Sequence, residues 1–283
     1  MKIGISAFAW TSLLRPAHLE ILPELRELGV EGFEVPIIDP ESLPLDEIRA
    51  ATEACGIECT GCALLPQHCN PISPDPQSRE RARNYLRRCI EACARMGARV
   101  IGGPLYAPIG YLPDHRPTSA EWDWAVASFR AVGDLLDTHG IVLCMEPVNR
   151  SETFFLRTAA EARRLCEVIG HPRIGVTLDT FHANIEERDF RSAILELNHR
   201  LRHVHASENH RGPIGRGHLP FGAIIAALRE IGYSGYLMIE GFGFDQGEEQ
   251  SPGRLWADQE VSPRVLLAES ARSLRFLLQQ SLR

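Results

Sequence analysis

The chain has 283 residues, of which 44% are hydrophobic and 24% are charged. These values are typical of a globular protein, and the length accommodates either two small domains or one large barrel. The net charge of −7 argues against a duplex-binding surface, because such a surface needs Lys and Arg to neutralise phosphates. Since no apolar run approaches the roughly 18 residues of a membrane span, we expect neither nucleic acid nor a membrane as a partner.

The first apolar run, KIGISAF, is interpreted as a strand, because no small-residue cleavage site of a signal peptide follows it. The eight cysteines are irregularly spaced, which is typical of reduced thiols and not of a disulfide framework, so we expect a cytoplasmic protein. Cys59 and Cys62 form a C-x-x-C pattern within a strand-like segment. A redox pair needs its first Cys at a helix N-terminus, so both are interpreted as small buried residues.

Short apolar runs rich in Ile, Val and Leu alternate with amphipathic stretches along the chain. In chain order the runs predict strands over residues 2–8, 30–36, 57–65, 98–104, 141–147, 173–179, 201–207 and 235–241. The stretches between and after them predict helices over residues 17–29, 45–56, 78–97, 121–140, 158–170, 188–198, 221–232 and 266–280. Several of these helices close on a glycine, such as Gly97, where a helix commonly ends.

Eight strand–helix units in succession predict an α/β protein with a single (β/α)8 TIM barrel over residues 1–283. Strands buried on both faces read as continuous apolar runs, as these do. The main alternative is an open doubly wound sheet, which lacks support because no G-x-G-x-x-G motif follows the first strand. The segment 241–263 after the last strand is too long for a plain connection and is interpreted as a lid over the site.

The last four predicted strands each end near a metal-binding residue type, namely Glu146, Asp179, His205 and Glu240. In a TIM barrel the C-terminal strand ends form one rim, so the fold would gather these side chains on one side of it. Three carboxylates repel each other unless a cation lies among them, and mixed oxygen and nitrogen ligands suit Mn²⁺, Mg²⁺, Co²⁺ or Zn²⁺. An acid at a strand end, taken alone, is more often a helix cap or an ion-pair partner, but four such residues in register favour a metal site.

The motifs MEPVNRSE, LDTFHANIEE and HVHASENHRGPIGRGH, together with GGPLYAPIG after the fourth strand, resemble the xylose-isomerase-like barrel superfamily of sugar isomerases, epimerases and apurinic endonucleases. The resemblance covers most of the chain and is strongest to ketose 3-epimerases of the D-tagatose/D-psicose type. It implies a ketose substrate, a homo-oligomer (dimer or tetramer) and one divalent metal. The expected ion is Mn²⁺, with Mg²⁺ or Co²⁺ as alternatives, and the implied ligands are Glu146, Asp179, His205 and Glu240.

The resemblance also implies that Glu146 and Glu240 are the catalytic acid–base pair. Inverting C3 of a ketose requires a polarised C2 carbonyl, a cis-enediolate and a proton delivered to the opposite face, so a metal and two carboxylates meet the need. By the same resemblance, Glu152, His182 and Arg211 bind the O1–O2 end of the sugar. Without it, these three would be interpreted as solvated loop residues.

Other reactions on the same rim stay open at this point: an aldose–ketose isomerase, a hydroxypyruvate isomerase or a keto-inositol dehydratase. The loops after the first four strands do not distinguish among them. An endonuclease IV-like phosphodiesterase is disfavoured, because the chain is acidic and GGPLYAP offers no histidine for a multi-zinc cluster, although His68 follows the third strand. Retention of both Glu146 and Glu240 disfavours a protein that only binds metal or sugar.

Several neighbouring residues have open roles. His203 lies two positions before the predicted histidine ligand and faces the same way, which predicts a packed, hydrogen-bonded histidine one layer deeper. His210 and His218, in the following loop, are interpreted as groups behind the site or at the surface. Phe8 and Trp10 are candidates for an apolar wall beside the sugar, or else belong to the core.

Overall fold

The computed structural model describes residues 1–242 and 261–280. The strands are β1 Lys2–Ser6, β2 Gly32–Ile37, β3 Glu58–Ala63, β4 Val100–Gly102, β5 Val142–Met145, β6 Ile174–Asp179, β7 Leu201–Ala206 and β8 Tyr236–Ile239. All pair in parallel with their neighbours in chain order, and β8 returns to pair with β1. The predicted closed barrel is therefore confirmed, and each strand overlaps its predicted segment.

Helices connect the strands and cover the barrel: α1 Leu22–Glu27, α2 Leu45–Cys55, α3 Pro76–Met96, α4 Ser119–Arg130, α5 Gly133–His139, α6 Ala159–Ile169, α7 Thr180–Glu186, α8 Phe190–Leu197, α9 Phe221–Glu230 and α10 Pro263–Gln280. The apolar faces of helices and strands form one large core, and Phe8, Cys62 and Phe242 form a separate small cluster. Tyr85 of α3 ties this shell to the barrel, because its buried hydroxyl lies 2.9 Å from the carbonyl oxygen of Ile37 and 2.8 Å from that of Leu64.

Two helix predictions were wrong in detail. The predicted helix 17–29 is a 3-10 helix, Pro16–Ile21, followed by α1, because Pro23 has no N–H to continue the preceding turn. The predicted helix 121–140 is broken into α4 and α5. The break lies just before Gly133, a residue of low helix propensity, whose backbone approaches the ring of His171 so closely that a Cβ would lie 2.9 Å from it.

Helix α7, directly after β6, was not predicted. Asp179, the last residue of β6, caps it: one carboxylate oxygen, Oδ1, accepts a hydrogen bond of 2.8 Å from the N–H of Phe181. The second oxygen remains directed at the barrel mouth, where it contacts Arg211. Asp179 is therefore both a helix cap and an ion-pair partner.

The predicted lid over residues 241–263 lies mostly outside the described residues, which include only 241–242 and 261–263 of it. The prediction of a single domain over residues 1–283 likewise extends beyond them. Within residues 1–242 and 261–280, none of the helices combines the length and the apolar content needed to cross a membrane.

Candidate metal centre and active site

Four side chains converge at the C-terminal ends of β5 to β8. Glu146 follows β5, Asp179 closes β6, His205 is the next-to-last residue of β7, and Glu240 follows β8. One ligand atom of each lies within 4.8 Å of the others. All four are buried, with at most 4% of each residue exposed. The structure thus brings together the four residues that the sequence predicted as metal ligands, and we call them the carboxylate–histidine cluster.

Backbone contacts between neighbouring strands set the position of these carboxylates. The N–H of Glu146 donates to the carbonyl oxygen of Gly103 over 3.0 Å, and the N–H of Glu240 donates to that of Ala206 over 3.2 Å. Gly103 has a φ of 123°, and a Cβ there would lie 2.1 Å from the carbonyl oxygen of Ala63. Only glycine permits this approach, so Gly103 is part of what places Glu146 at the rim.

The imidazole of His205 lies among acids on both sides. Its Nδ1 is 3.2 Å from Oε1 of Glu146 and 3.4 Å from Oε1 of Glu240. Its Nε2 is 3.1 Å from Oε1 of Glu34. Burial disfavours a charged ring, but Glu34, Glu240 and Glu146 together raise the pKa of His205 well above its usual value. The position stabilises positive charge.

Arg211 supplies a positive charge to the carboxylates of the carboxylate–histidine cluster. Its Nη1 donates to Oδ2 of Asp179 over 2.7 Å and to Oε2 of Glu240 over 2.6 Å. The guanidinium lies between two rings, with its central carbon 4.1 Å from the centroid of Phe181 and 4.9 Å from that of Phe242. The backbone of Arg211 is left-handed, with a φ of 59°, which costs energy for a residue with a Cβ. Strain of this kind is concentrated at functional positions.

Burial also shifts the titration of the carboxyls. It raises the pKa of Asp179 from 3.8 to about 6, although the charge of Arg211 lowers it. Burial raises the pKa of Glu240, against the opposing charges of His205 and Arg211. Desolvated acids of this kind are stabilised by a cation, and three carboxylates with one imidazole suit Mn²⁺, Mg²⁺ or Co²⁺. The residues present therefore fit a divalent metal ion.

The three predicted substrate-binding residues lie beside this cluster. Nη2 of Arg211 is 3.3 Å from Nε2 of His182. Asn149 joins the other two, since its Nδ2 donates to Oε1 of Glu152 over 2.8 Å and lies 2.9 Å from Nδ1 of His182. Its backbone N–H also donates to that Nδ1 over 3.2 Å. The sequence analysis assigned no role to Asn149. The only indication was its position in the motif MEPVNRSE, between Glu146 and Glu152.

Burial keeps the ring of His182 neutral. It lowers the pKa of His182 well below the usual value, and the charge of Arg211 adds to this effect. Nδ1 accepts a hydrogen bond from the backbone N–H of Asn149, while Nε2 lies 3.3 Å from Nη2 of Arg211 and 3.5 Å from Oδ2 of Asp179. Burial likewise raises the pKa of Glu152. One neutral imidazole and one acid therefore face the same space.

That space is a cavity of about 210 Å³ at the barrel mouth. It is smaller than drug-sized pockets, which run from roughly 300 to 1,000 Å³, and so suits a small molecule. Its polar lining includes Glu146, Glu152, His182, Arg211 and Glu240. Its apolar lining includes Phe8, Leu64, Ile109, Val148 and Phe242. The cavity therefore offers both hydrogen-bonding groups and apolar surface to a small molecule.

The apolar wall was partly predicted. Phe8 lines the cavity, and its ring packs on Phe242 with centroids 5.3 Å apart. Trp10 instead packs against the hydrophobic core and is not among the described residues that line the cavity. His210 lines the cavity as well, whereas His218 is exposed in the loop.

His203 and the C-x-x-C pair behave as predicted. His203 is fully buried one layer below the cluster, and its Nε2 lies 2.8 Å from Oε2 of Glu34. Cys59 and Cys62 lie in β3 as free thiols, and burial raises the pKa of Cys59 to about 12 and that of Cys62 well above its usual value. A high pKa suppresses the thiolate that redox chemistry needs.

Sequence reasoning missed Glu34. This residue lies in β2, is fully shielded from solvent, and contacts both His203 and His205. Burial would raise the pKa of Glu34, but the charge of His205 and the hydrogen bonds from both histidines hold it well below its usual range. The available signal was an acid in the middle of the apolar run VEGFEVP.

Comparison with known proteins gives one family match and many relatives. The family model described as "xylose isomerase-like TIM barrel" matches residues 22–267. A ketose 3-epimerase of Arthrobacter globiformis is 32% identical over 243 residues, which cover 86% of this chain and 84% of that protein. An L-ribulose 3-epimerase of Mesorhizobium japonicum is 31% identical, covering 96% and 92%. A solved L-ribulose 3-epimerase structure superposes with a TM-score of 0.92 at 29% identity, covering 100% of this chain and 96% of that one.

Proposed function

The chain belongs to the xylose isomerase-like TIM barrel family, and we propose that it is a metal-dependent epimerase that inverts C3 of a free ketose. The observation that carries this proposal is the pair Glu146 and Glu240. Both belong to the carboxylate–histidine cluster, and both line the cavity. Relatives about 30% identical over most of the chain act on ketoses, including L-ribulose, which supports the same substrate class here.

The metal is held by Glu146, Asp179, His205 and Glu240. Mn²⁺ is the first candidate, and Mg²⁺ or Co²⁺ are alternatives. A divalent ion bound there polarises the C2 carbonyl of the sugar and so acidifies the proton on C3. Arg211 donates to Oδ2 of Asp179 and to Oε2 of Glu240, so it contacts two of the residues that would hold the ion.

Glu146 and Glu240 perform the proton transfers. They extend from β5 and β8, with β6 and β7 between them, so they approach the cavity from different sides. One carboxylate removes the C3 proton and leaves a cis-enediolate. The other, as a carboxylic acid, returns a proton to the opposite face and so inverts the centre. The raised pKa of Glu240 is suited to this role, because burial favours the protonated form.

The remaining polar residues orient the sugar. Arg211 donates to the oxygens of the O1–O2 end, His182 hydrogen-bonds to the same end, and Glu152 accepts from a hydroxyl. Asn149 holds Glu152 and His182 in place through its two hydrogen bonds. The apolar lining residues, among them Phe8 and Phe242, exclude water from the reacting carbon. That the protein is homo-oligomeric and cytoplasmic stays a prediction.

Proton exchange tests the proposal. The Mn²⁺-loaded protein is incubated in D₂O with a panel of free ketoses, including L-ribulose, and deuterium is located by NMR. We expect a label at C3 together with the new epimer. A label at C1 or C2 alone would indicate an aldose–ketose isomerase on the same rim. No label with any ketose, while the metal is bound, would contradict the proposal and favour a dehydratase or a phosphodiesterase.

A further inference from the structure

Glu34 is a buried acid inside the barrel, one layer below the carboxylate–histidine cluster. It lies in the middle of β2 with none of its surface exposed to solvent. Its Oε2 lies 2.8 Å from Nε2 of His203 and 3.3 Å from Nε2 of His205, and its Oε1 lies 3.1 Å from the latter nitrogen. Thr60 adds a long hydrogen bond of 3.4 Å to Oε2. Both imidazole hydrogen bonds therefore go to Oε2, while Oε1 has no hydrogen-bond partner among the described residues.

The two nitrogens of His205 have different surroundings. Nδ1 faces Glu146 and Glu240, on the side of the cluster, at 3.2 and 3.4 Å. Nε2 faces Glu34 on the side of the barrel interior. A neutral imidazole carries one hydrogen, and the nitrogen without it holds the lone pair that binds a metal. The geometry around the ring therefore distinguishes one tautomer from the other.

We propose that Glu34 is a positioning residue that accepts the Nε2–H of His205 and thereby directs the Nδ1 lone pair of His205 into the carboxylate–histidine cluster. A carboxylate behind a metal-binding histidine fixes the tautomer and the ring orientation and makes the imidazole a stronger ligand. This inference rests on the proposed function, because it assumes that the cluster binds a metal. It goes beyond the ligand set, since Glu34 is not one of the four residues of the carboxylate–histidine cluster and is not among the described residues that line the cavity.

His203 completes the arrangement. It donates from Nε2 to Glu34, and its ring lies edge-on to that of His205, with centroids 5.2 Å apart. Its Nδ1 is buried and has no hydrogen-bond partner among residues 1–242 and 261–280. His203 thus contacts Glu34 at Oε2, the same oxygen that lies 3.3 Å from Nε2 of His205.

Metal titration of the metal-free protein tests the proposal. Glu34→Gln keeps the volume but removes the charge, and we expect its Kd for Mn²⁺, measured by calorimetry or by EPR of free Mn²⁺, to rise about 10- to 100-fold. Thr60→Val is the matched control, because it changes the same buried layer at the weakest contact of Glu34. We expect its Kd to stay within about 2-fold of wild type, since the lost hydrogen bond is long.

A second readout reports the tautomer directly. In protein labelled with ¹⁵N-histidine and loaded with Mg²⁺, we expect His205 to carry its hydrogen on Nε2 in the wild type and in Thr60→Val. In Glu34→Gln the ring nitrogens should report a mixture of tautomers or a reoriented ring. The His205 signals are assigned by their loss in His205→Asn. A merely structural role for Glu34 would change the melting temperature without changing the tautomer.

The outcomes separate this proposal from the proposed function. If wild-type protein binds Mn²⁺ and Glu34→Gln binds it with an unchanged Kd, the positioning role is wrong while the metal site stands. The same conclusion follows if Thr60→Val weakens binding as much as Glu34→Gln does. If the wild type binds no divalent metal, the proposed function itself fails. Should Glu34→Gln not fold, Glu34→Asp, which withdraws the carboxylate from His205, is titrated against the same expectations.

Discussion

The guanidinium of Arg211 donates a hydrogen bond of 2.6 Å to Oε2 of Glu240, and the same nitrogen reaches Oδ2 of Asp179 at 2.7 Å. One cationic side chain thus neutralises two of the four proposed metal ligands. A divalent ion bound by the cluster would neutralise the same two carboxylates, so we expect the two cations to compete for them. We expect metal binding to free Arg211 for the sugar oxygens, which couples assembly of the metal site to assembly of the sugar site.

Removing Arg211 should therefore matter most when the metal is absent. In Arg211→Ala we expect the metal-free protein to lose about 3–5 kcal/mol in the free energy of unfolding, because buried carboxylates are left unpaired. Saturating Mn²⁺ should recover most of this loss. Denaturant unfolding with and without Mn²⁺ measures both values, with Arg211→Lys as a variant that keeps the charge but not the planar fork. An equal loss of stability with and without Mn²⁺ would show that Arg211 and the metal do not compete for the same carboxylates.

Replacing one of the two proposed catalytic carboxylates should remove most of the turnover. In Glu240→Gln we expect turnover to fall by at least about 100-fold, since one of two proton transfers is lost, while the protein stays folded. Metal content is measured first, because Glu240 is also a proposed ligand. Glu152→Gln is the matched control and should raise KM more than it lowers kcat. Near-normal turnover in Glu240→Gln would remove it from the acid–base pair.

The stability of the metal-free protein should depend on pH through Asp179. Burial raises its pKa from 3.8 to about 6, so the folded state holds this proton more tightly than the unfolded state does. A raised carboxyl pKa means that stability falls as pH rises from about 4 to 6, by up to about 3 kcal/mol, and then levels off.

Mn²⁺ displaces that proton, so the stabilisation by Mn²⁺ should grow over the same pH window. Melting temperatures from pH 4 to 8, with and without Mn²⁺, check both expectations. Asp179→Asn is the control, because its side chain does not titrate and its metal-free stability should change less between pH 4 and 6. A pH profile identical to that of the wild type would assign the effect to other groups.

Asn149 should support sugar binding without touching the reacting carbon. In Asn149→Ala, Glu152 and His182 lose the side chain that joins them, and we expect KM for the ketose to rise about tenfold, which corresponds to roughly one lost hydrogen bond. Steady-state kinetics measures it. Arg150→Ala, at the next position, removes only an ion pair between an exposed arginine and Glu186 and should leave KM unchanged. Equal effects in the two variants would indicate a general disturbance of the loop.

Two left-handed glycines offer a matched test of the rim geometry. Gly103 and Gly56 have φ values of 123° and 61°, but an added Cβ would strike the Ala63 carbonyl at Gly103 and meet nothing within 4 Å at Gly56. Gly56→Ala should cost about 1–2 kcal/mol of stability from backbone strain alone. Gly103→Ala should cost more and should also reduce activity, because it displaces the carbonyl that holds Glu146. Similar effects in both would leave Gly103 no special role.

Much of the fold can be predicted from the sequence, because the patterns that indicate strands and helices involve residues close together along the chain. The alternation of short apolar runs with amphipathic stretches depends on residues a few positions apart, and it predicted all eight strands of the closed barrel. The acids and the histidine at the last four strand ends were visible for the same reason. Since parallel strands share one rim, naming the fold was enough to predict that Glu146, Asp179, His205 and Glu240 meet there.

The tertiary structure alone decided the contacts that barrel closure creates between distant strands. Glu34 and His205 are 171 positions apart, yet the register from β2 round through β1 and β8 to β7 brings their side chains together inside the barrel. The left-handed backbone at Arg211, which directs its guanidinium onto Asp179 and Glu240, has no local sequence signal either. A local pattern reports which face of a strand is buried, but only the closed barrel determines which buried polar groups face one another.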